Sequence, residues 1–99
     1  MRVISQDGTI DIPYDYFSLT IASGRYEDVE VSCIFCHNLS SPLGTKLAEY
    51  SSKEKAQKVM EILRNNYLDF MTEAKQDGNG FCFNQPKVFQ FPKDEDVEV

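Results

Sequence analysis

Between Ser51 and Gln76, the apolar residues Ala56, Val59, Met60, Leu63, Tyr67, Phe70 and Met71 recur at steps of three and four. That period is helical, and it lays a broad apolar stripe along one side of a single long helix. A lone helix is marginal in water, so the remainder of the chain must supply the surface that covers the stripe. Ser51-Ser52-Lys53-Glu54 fits a capping box, in which Ser51 accepts from the Glu54 amide and Glu54 reaches back to the Ser51 amide. Asn65-Asn66 weakens helix propensity in mid-run, which sets the end either near Leu68 or near Gln76. Asp77-Gly78-Asn79-Gly80 is a strong stop and turn.

The surface that covers the stripe is expected to come from short strands. Arg2 to Ser5 and Ile10 to Ile12 flank Gln6-Asp7-Gly8-Thr9, where Asp-Gly favours the tight turn of a hairpin. Phe17, Leu19 and Ile21 share one face of a second strand region, and Ser23-Gly24-Arg25 reads as the turn after it. Val29, Val31, Cys33 and Phe35 then alternate with Glu30 and Ser32, so the odd-numbered side is expected to face the core. Ile34 breaks that alternation. His37 to Gly44 reads as a loop and Thr45 to Glu49 as a short returning strand, while Phe81, Phe83, Phe89 and Phe91 mark two final strands around Asn84-Gln85-Pro86.

The order strands, helix, strands predicts an α+β fold: a small curved antiparallel β-sheet, or a small open barrel, packed against one main α-helix. Residues 1–92 are expected to form a single domain and 93–99 an acidic tail. One helix does not cover both faces of a sheet, so the leftover face meets water or another protein.

With 99 residues, the chain has room for one modest core, and the size counts against a multidomain enzyme. Ten Lys and Arg against sixteen Asp and Glu give a net charge of −6. Ser51 to Lys75 holds five basic and four acidic residues, so twelve of the sixteen acids lie outside the helix. No basic stripe appears, and direct nucleic-acid binding is not expected, because phosphate contacts need Lys and Arg. No apolar segment of signal-peptide length follows Met1-Arg2, and no run approaches the length of a membrane span. A cytoplasmic location without membrane contact is the expectation.

Cys33-Ile34-Phe35-Cys36-His37 matches the C-x-x-C-H pattern of covalent haem attachment, but Cys33 falls within a strand and not at a helix start. The same position disfavours a thioredoxin-like dithiol, whose first cysteine needs a helix N-terminus to lower its pKa. Cys33, Cys36, His37 and Cys82 together make the Cys₃His count of a structural zinc site, although Cys36 and His37, as neighbours in a strand, face opposite ways. Set against these is a plain packing role for the cysteines, with Cys33 as a small buried hydrophobe. No serine lies in a nucleophile-elbow context, and the carboxylate pairs Asp11 with Asp15 and Glu27 with Asp28 sit near turns. The expectation is no catalytic residue and no cofactor, with zinc on the four soft ligands as the alternative.

Met1 to Tyr14 (MRVISQDGTIDIPY) resembles the start of small uncharacterised proteins of Firmicutes bacteria and their phages or mobile elements. Leu47 to Arg64 (LAEYSSKEKAQKVMEILR) and Val88 to Pro92 (VFQFP) resemble two further blocks of that group. The resemblance implies a cytoplasmic accessory protein of phage or integrated-element origin and implies no mechanism. The Cys-x-x-Cys-His stretch lies outside all three blocks.

The sequence therefore points to a non-enzymatic accessory protein that works through protein–protein contact, with itself as a homo-oligomer or with a protein partner. Tyr14, Tyr16, Tyr26 and Tyr50 are the interface candidates, since tyrosine buries a large area at low entropic cost. An acidic mimic of nucleic acid that inhibits a host enzyme is the remaining alternative.

Overall fold

The computed structural model describes residues 1–38, 41–76 and 88–98. Six strands and one helix follow in order: β1 (Arg2–Ile4), β2 (Asp11–Pro13), β3 (Ser18–Tyr26), β4 (Val29–Asn38), β5 (Ser41–Tyr50), α1 (Lys53–Gln76) and β6 (Val88–Gln90). Single 3-10 turns occupy Tyr14–Tyr16 and Asp94–Asp96. The expected turn at 77–80, the strand around Phe81 and Phe83, and Cys82 lie outside the described residues.

The α+β class and the single packed helix hold, and the strands divide between two three-stranded sheets, β2-β1-β6 and β3-β4-β5. The second sheet is antiparallel throughout, whereas β1 and β6 pair in parallel. Parallel neighbours need a long crossover, and the chain between them contains α1. The sheets meet where the Gln6 amide donates to the Leu47 carbonyl at 2.8 Å. There the Gln6 side chain also pairs with the Glu49 backbone, accepting from its amide and donating to its carbonyl.

The first hairpin forms as the sequence predicts. Gly8 takes φ +79° and donates to the Ser5 carbonyl at 2.9 Å. One Asp7 carboxylate oxygen accepts from the Ser5 hydroxyl, the Thr9 amide and the Thr9 hydroxyl at 2.7, 3.0 and 2.7 Å. These donors favour the charged form and hold the Asp7 carboxyl at about 2.

The second hairpin is longer than expected. Gly24 lies inside β3 opposite Val31, and the reversal comes at Glu27 and Asp28 instead, whose φ values are +50° and +64°. Two successive left-handed residues match the right-handed twist of the flanking strands, which is why the turn settles there despite lacking glycine. The span read as a loop from His37 to Gly44 is also mostly strand: β4 runs to Asn38 and β5 starts at Ser41.

Helix α1 continues through Asn65-Asn66 to Gln76. Its cap differs from the predicted box. Ser52, not Ser51, accepts from an amide of the first turn, that of Lys55, at 3.2 Å, and the Glu30 carboxylate accepts from the Lys53 amide at 3.2 Å. Ser51 instead donates through its amide and hydroxyl to Asp94 at 2.8 and 3.0 Å. Ala56, Val59 and Leu63 bury the helix stripe in one cluster with Ile34, Cys36, Leu47, Ala48 and Tyr50 of the second sheet and with Val3, Ile12, Phe91 and Val97. The C-terminal segment thus carries core residues and holds the helix start, where the Lys55 ammonium donates to the Asp94 carbonyl at 2.9 Å. Among the described residues, no helix is long and apolar enough to cross a membrane.

Candidate functional site

The pleat of β4 decides which side chains the helix covers. Ser32, Ile34 and Cys36 are buried and point toward α1, while Val31, Cys33 and Phe35 are half-buried and Val29 is exposed. The face expected to be core is therefore the outer one. Ile34 is the most apolar residue able to fill the space beneath the helix. The polar Ser32 beside it is made tolerable by a 2.8 Å hydrogen bond to Ser23 of β3. On β3 the expectation holds, since Phe17, Leu19 and Ile21 pack against the core.

Register brings Thr20, Ala22, Gly24 and Tyr26 of β3 opposite Phe35, Cys33, Val31 and Val29. On the other side Lys46 lies opposite Phe35, and Glu49 opposite Cys33. A break in register between Ile34 and Phe35 lets Leu47 and Ala48 both turn inward, leaving Lys46 and Glu49 on the outer face. The result is an open hollow of about 530 Å³ lined by Ala22, Tyr26, Val31, Cys33, Phe35 and Glu49, among others. The described strands and α1 leave this face uncovered.

The charges on the face are few. Lys46 Nζ lies 3.7 Å from Glu49 Oε1, and the Cys33 thiol approaches the same carboxylate oxygen at 3.9 Å. Burial, reinforced by the Glu49 charge, pushes the Cys33 thiol above its ordinary pKa, with Lys46 acting weakly against the rise. Burial raises Cys36 as well. Both are thus thiols at neutral pH, the opposite of what dithiol redox chemistry needs. At the far end of the face, Thr20 Oγ1 and His37 Nε2 share a 2.7 Å hydrogen bond, and the His37 ring lies 6.4 Å from that of Phe35. Gly44 fits over this imidazole only because it has no side chain: a Cβ there would come within 2.5 Å of His37 Cε1.

Of the four soft ligands, the three that are described, Cys33, Cys36 and His37, do not converge. Cys33 and His37 belong to the outer face and Cys36 to the buried inner one, so the sheet itself separates Cys33 from Cys36. Cys82 lies outside the described residues. Among the described residues, no three His, Cys, Asp or Glu side chains converge as metal ligands. The carboxylate pairs are likewise dispersed: Asp11 pairs with Arg2 at 2.9 Å, Asp15 accepts from the Tyr67 hydroxyl, and Glu27 and Asp28 form the hairpin turn.

The tyrosines separate by exposure. Tyr50 is 1% exposed and donates its hydroxyl to the Pro92 carbonyl at 2.8 Å, which removes it from any interface. Its inward position follows from the β5 register that places it opposite the buried Ser32. Tyr14 is half-buried against the Tyr67 ring at 4.6 Å. Tyr16 and Tyr26 are 77% and 74% exposed, and Tyr26 borders the outer face. Sequence reasoning missed Lys46 and Glu49 as face residues. The signal available was the adjacent pair Leu47-Ala48, which a regular strand cannot bury together.

No protein-family model, curated protein or solved structure matches the chain.

Proposed function

We propose that the chain is a non-enzymatic accessory protein of the cytoplasm whose working surface is the outer face of β3-β4-β5. One observation carries this reading. The apolar row Val31, Cys33 and Phe35 lies on the side of the sheet that α1 does not cover. Exposed contiguous apolar surface of this kind is costly to leave in water and marks a contact site. Tyr26 at its border is the sort of rigid, amphipathic residue that anchors interfaces. The resemblance of residues 1–14 and 47–64 to small phage and mobile-element proteins supports an accessory role.

The test replaces Phe35 with a photoreactive phenylalanine analogue in cells, with the same analogue at Lys58 on the exposed side of α1 as control. Covalent protein adducts are expected at position 35 and not at position 58. Irradiation that yields no adduct at position 35 above the control overturns the reading.

A further inference from the structure

We infer that the occupant of the outer face is a second copy of the same chain, packed face to face about a two-fold axis; this rests on the contact role proposed above. Charge argues for a second copy. The chain carries −6, so two copies repel over most of their surface. The described residues on the outer face and lining its hollow include two cations, Arg25 and Lys46, and one anion, Glu49, so this face lacks the acidic excess of the chain. An identical molecule therefore meets little of the chain's acidic repulsion there.

The arrangement is also self-complementary. Lys46 and Glu49 lie side by side on β5 next to the apolar row of β4, and a two-fold axis running across the strands midway between them sets the Lys46 of each copy toward the Glu49 of the other. Both side chains are about half exposed, so they are free to exchange partners. Nine- and ten-residue strands extend about 30 Å, and three of them span about 14 Å. The face therefore measures about 420 Å² in projection, and side-chain relief adds to it. Doubling this for two copies approaches the total of about 1,000 Å² at which specific interfaces begin. The expected dimer is reversible and of modest affinity, not obligate.

Cys33 lies near the midpoint of the central strand and points outward, which places it close to the two-fold axis. Facing sheets sit about 10 Å apart, beyond the Cα separation of about 4.4–6.8 Å that a disulfide requires. A short bifunctional maleimide is then expected to join two Cys33 thiols in protein carrying Cys36→Ala and Cys82→Ala, whereas mild oxidation joins far fewer.

Sedimentation velocity over a concentration series decides the matter. The unmodified chain is expected to shift from monomer to dimer, and Val31→Glu to abolish the shift while leaving the circular dichroism spectrum unchanged. Lys46→Glu and Glu49→Lys should each weaken self-association at least tenfold, because each face then carries two like charges. Mixed in equal amounts, these two variants should dimerise with one another, and this result does not depend on how well Val31→Glu folds. Unmodified protein that stays monomeric at its solubility limit overturns the inference, as does a mixture that fails to associate. Adducts at position 35 that contain only other proteins also overturn it, while leaving the contact role standing. The absence of any adduct removes both.

Discussion

Truncation of Ile34 and of Val31 to alanine, compared side by side, tests which face of β4 is the core. Ile34 is 0% exposed, so Ile34→Ala deletes three carbons from a fully packed position. At about 0.8 kcal/mol per buried carbon the transfer loss is about 2.4 kcal/mol, and the cavity left beneath Val59 and Leu63 raises it to about 3–4 kcal/mol. Val31→Ala deletes two carbons from a half-buried position open to solvent, at a cost of about 1 kcal/mol or less. A chain of this length has a total stability on the order of 5–15 kcal/mol. The first substitution therefore removes a large share of it and lowers Tm by about 15–25 °C, while the second lowers it by only a few degrees. Urea denaturation followed by far-ultraviolet circular dichroism measures both, with an unchanged denaturant slope as the check that the unfolding transition is comparable. Dilute protein is required, since a face-to-face dimer would add a concentration-dependent contribution at Val31. Equal losses at the two positions, or a larger loss at Val31, would refute the assignment of faces.

Five further substitutions probe the supports of the fold. Gly44→Ala places a methyl against the His37 ring at a residue with φ +86°, so a loss of about 2 kcal/mol is expected in thermal denaturation. Gly24→Ala, with nothing within 4 Å of the added carbon and no positive φ, serves as its near-neutral control. Asp94→Ala removes the acceptor for the Ser51 amide and hydroxyl and an ion pair to Lys55, and a loss of about 1–2 kcal/mol is expected. Ser51→Ala should reproduce only part of that loss, because the backbone amide at position 51 still donates to the carboxylate. Asp7 sets a pH dependence: its folded pKa of about 2 lies below the ordinary 3.8, so its stabilisation is complete above that ordinary value. It is lost as pH falls through about 2. The Tm difference between the unmodified chain and Asp7→Ala should stay constant above pH 5 and narrow steadily from pH 4 to pH 2.

What was legible in the sequence follows from how local each signal is. The α1 stripe and the Asp7-Gly8 hairpin depend on residues a few positions apart, and both form where periodicity and turn chemistry place them. The orientation of β4 is not local. Alternation gave two nearly equivalent faces, one with Val31, Cys33 and Phe35 and the other with Ile34, and α1 decided between them by packing on Ile34. Counting apolar residues favours the wrong face, because it credits the outer row with burial that none of the described elements supplies. The same nonlocality governs the helix start: Ser51 is locally a good cap, but Asp94 recruits it from 43 residues away, and Ser52 takes the capping position. The parallel pairing of β1 with β6 was illegible for the same reason, since nothing in a three-residue strand specifies the direction of a partner 86 residues on.

The contacts of residues 89–97 make this segment the closing piece of the molecule. Phe91 and Val97 complete the cluster that includes Val3 and Leu63. The Pro92 carbonyl accepts from both the Gln6 side chain at 3.1 Å and the Tyr50 hydroxyl at 2.8 Å, joining the end of β5 to the first hairpin. Asp94 then fastens Ser51 and Lys55 at the start of α1. The β3-β4-β5 sheet, by contrast, is built from neighbours in sequence and needs none of these contacts to form its ladder. Local antiparallel pairing forms early and long-range pairing late, because loop closure must precede the contacts that reward it. The second sheet and α1 are therefore expected to organise first, leaving Val3, Ile12 and one side of the core open until β6 seats in parallel beside β1. Through that interval α1 covers only part of the inner face of the early sheet, and the outer row faces away from every described element. The inner face disappears when the closing segment docks. The outer row of Val31, Cys33 and Phe35, by contrast, stays uncovered by the described elements in the finished fold.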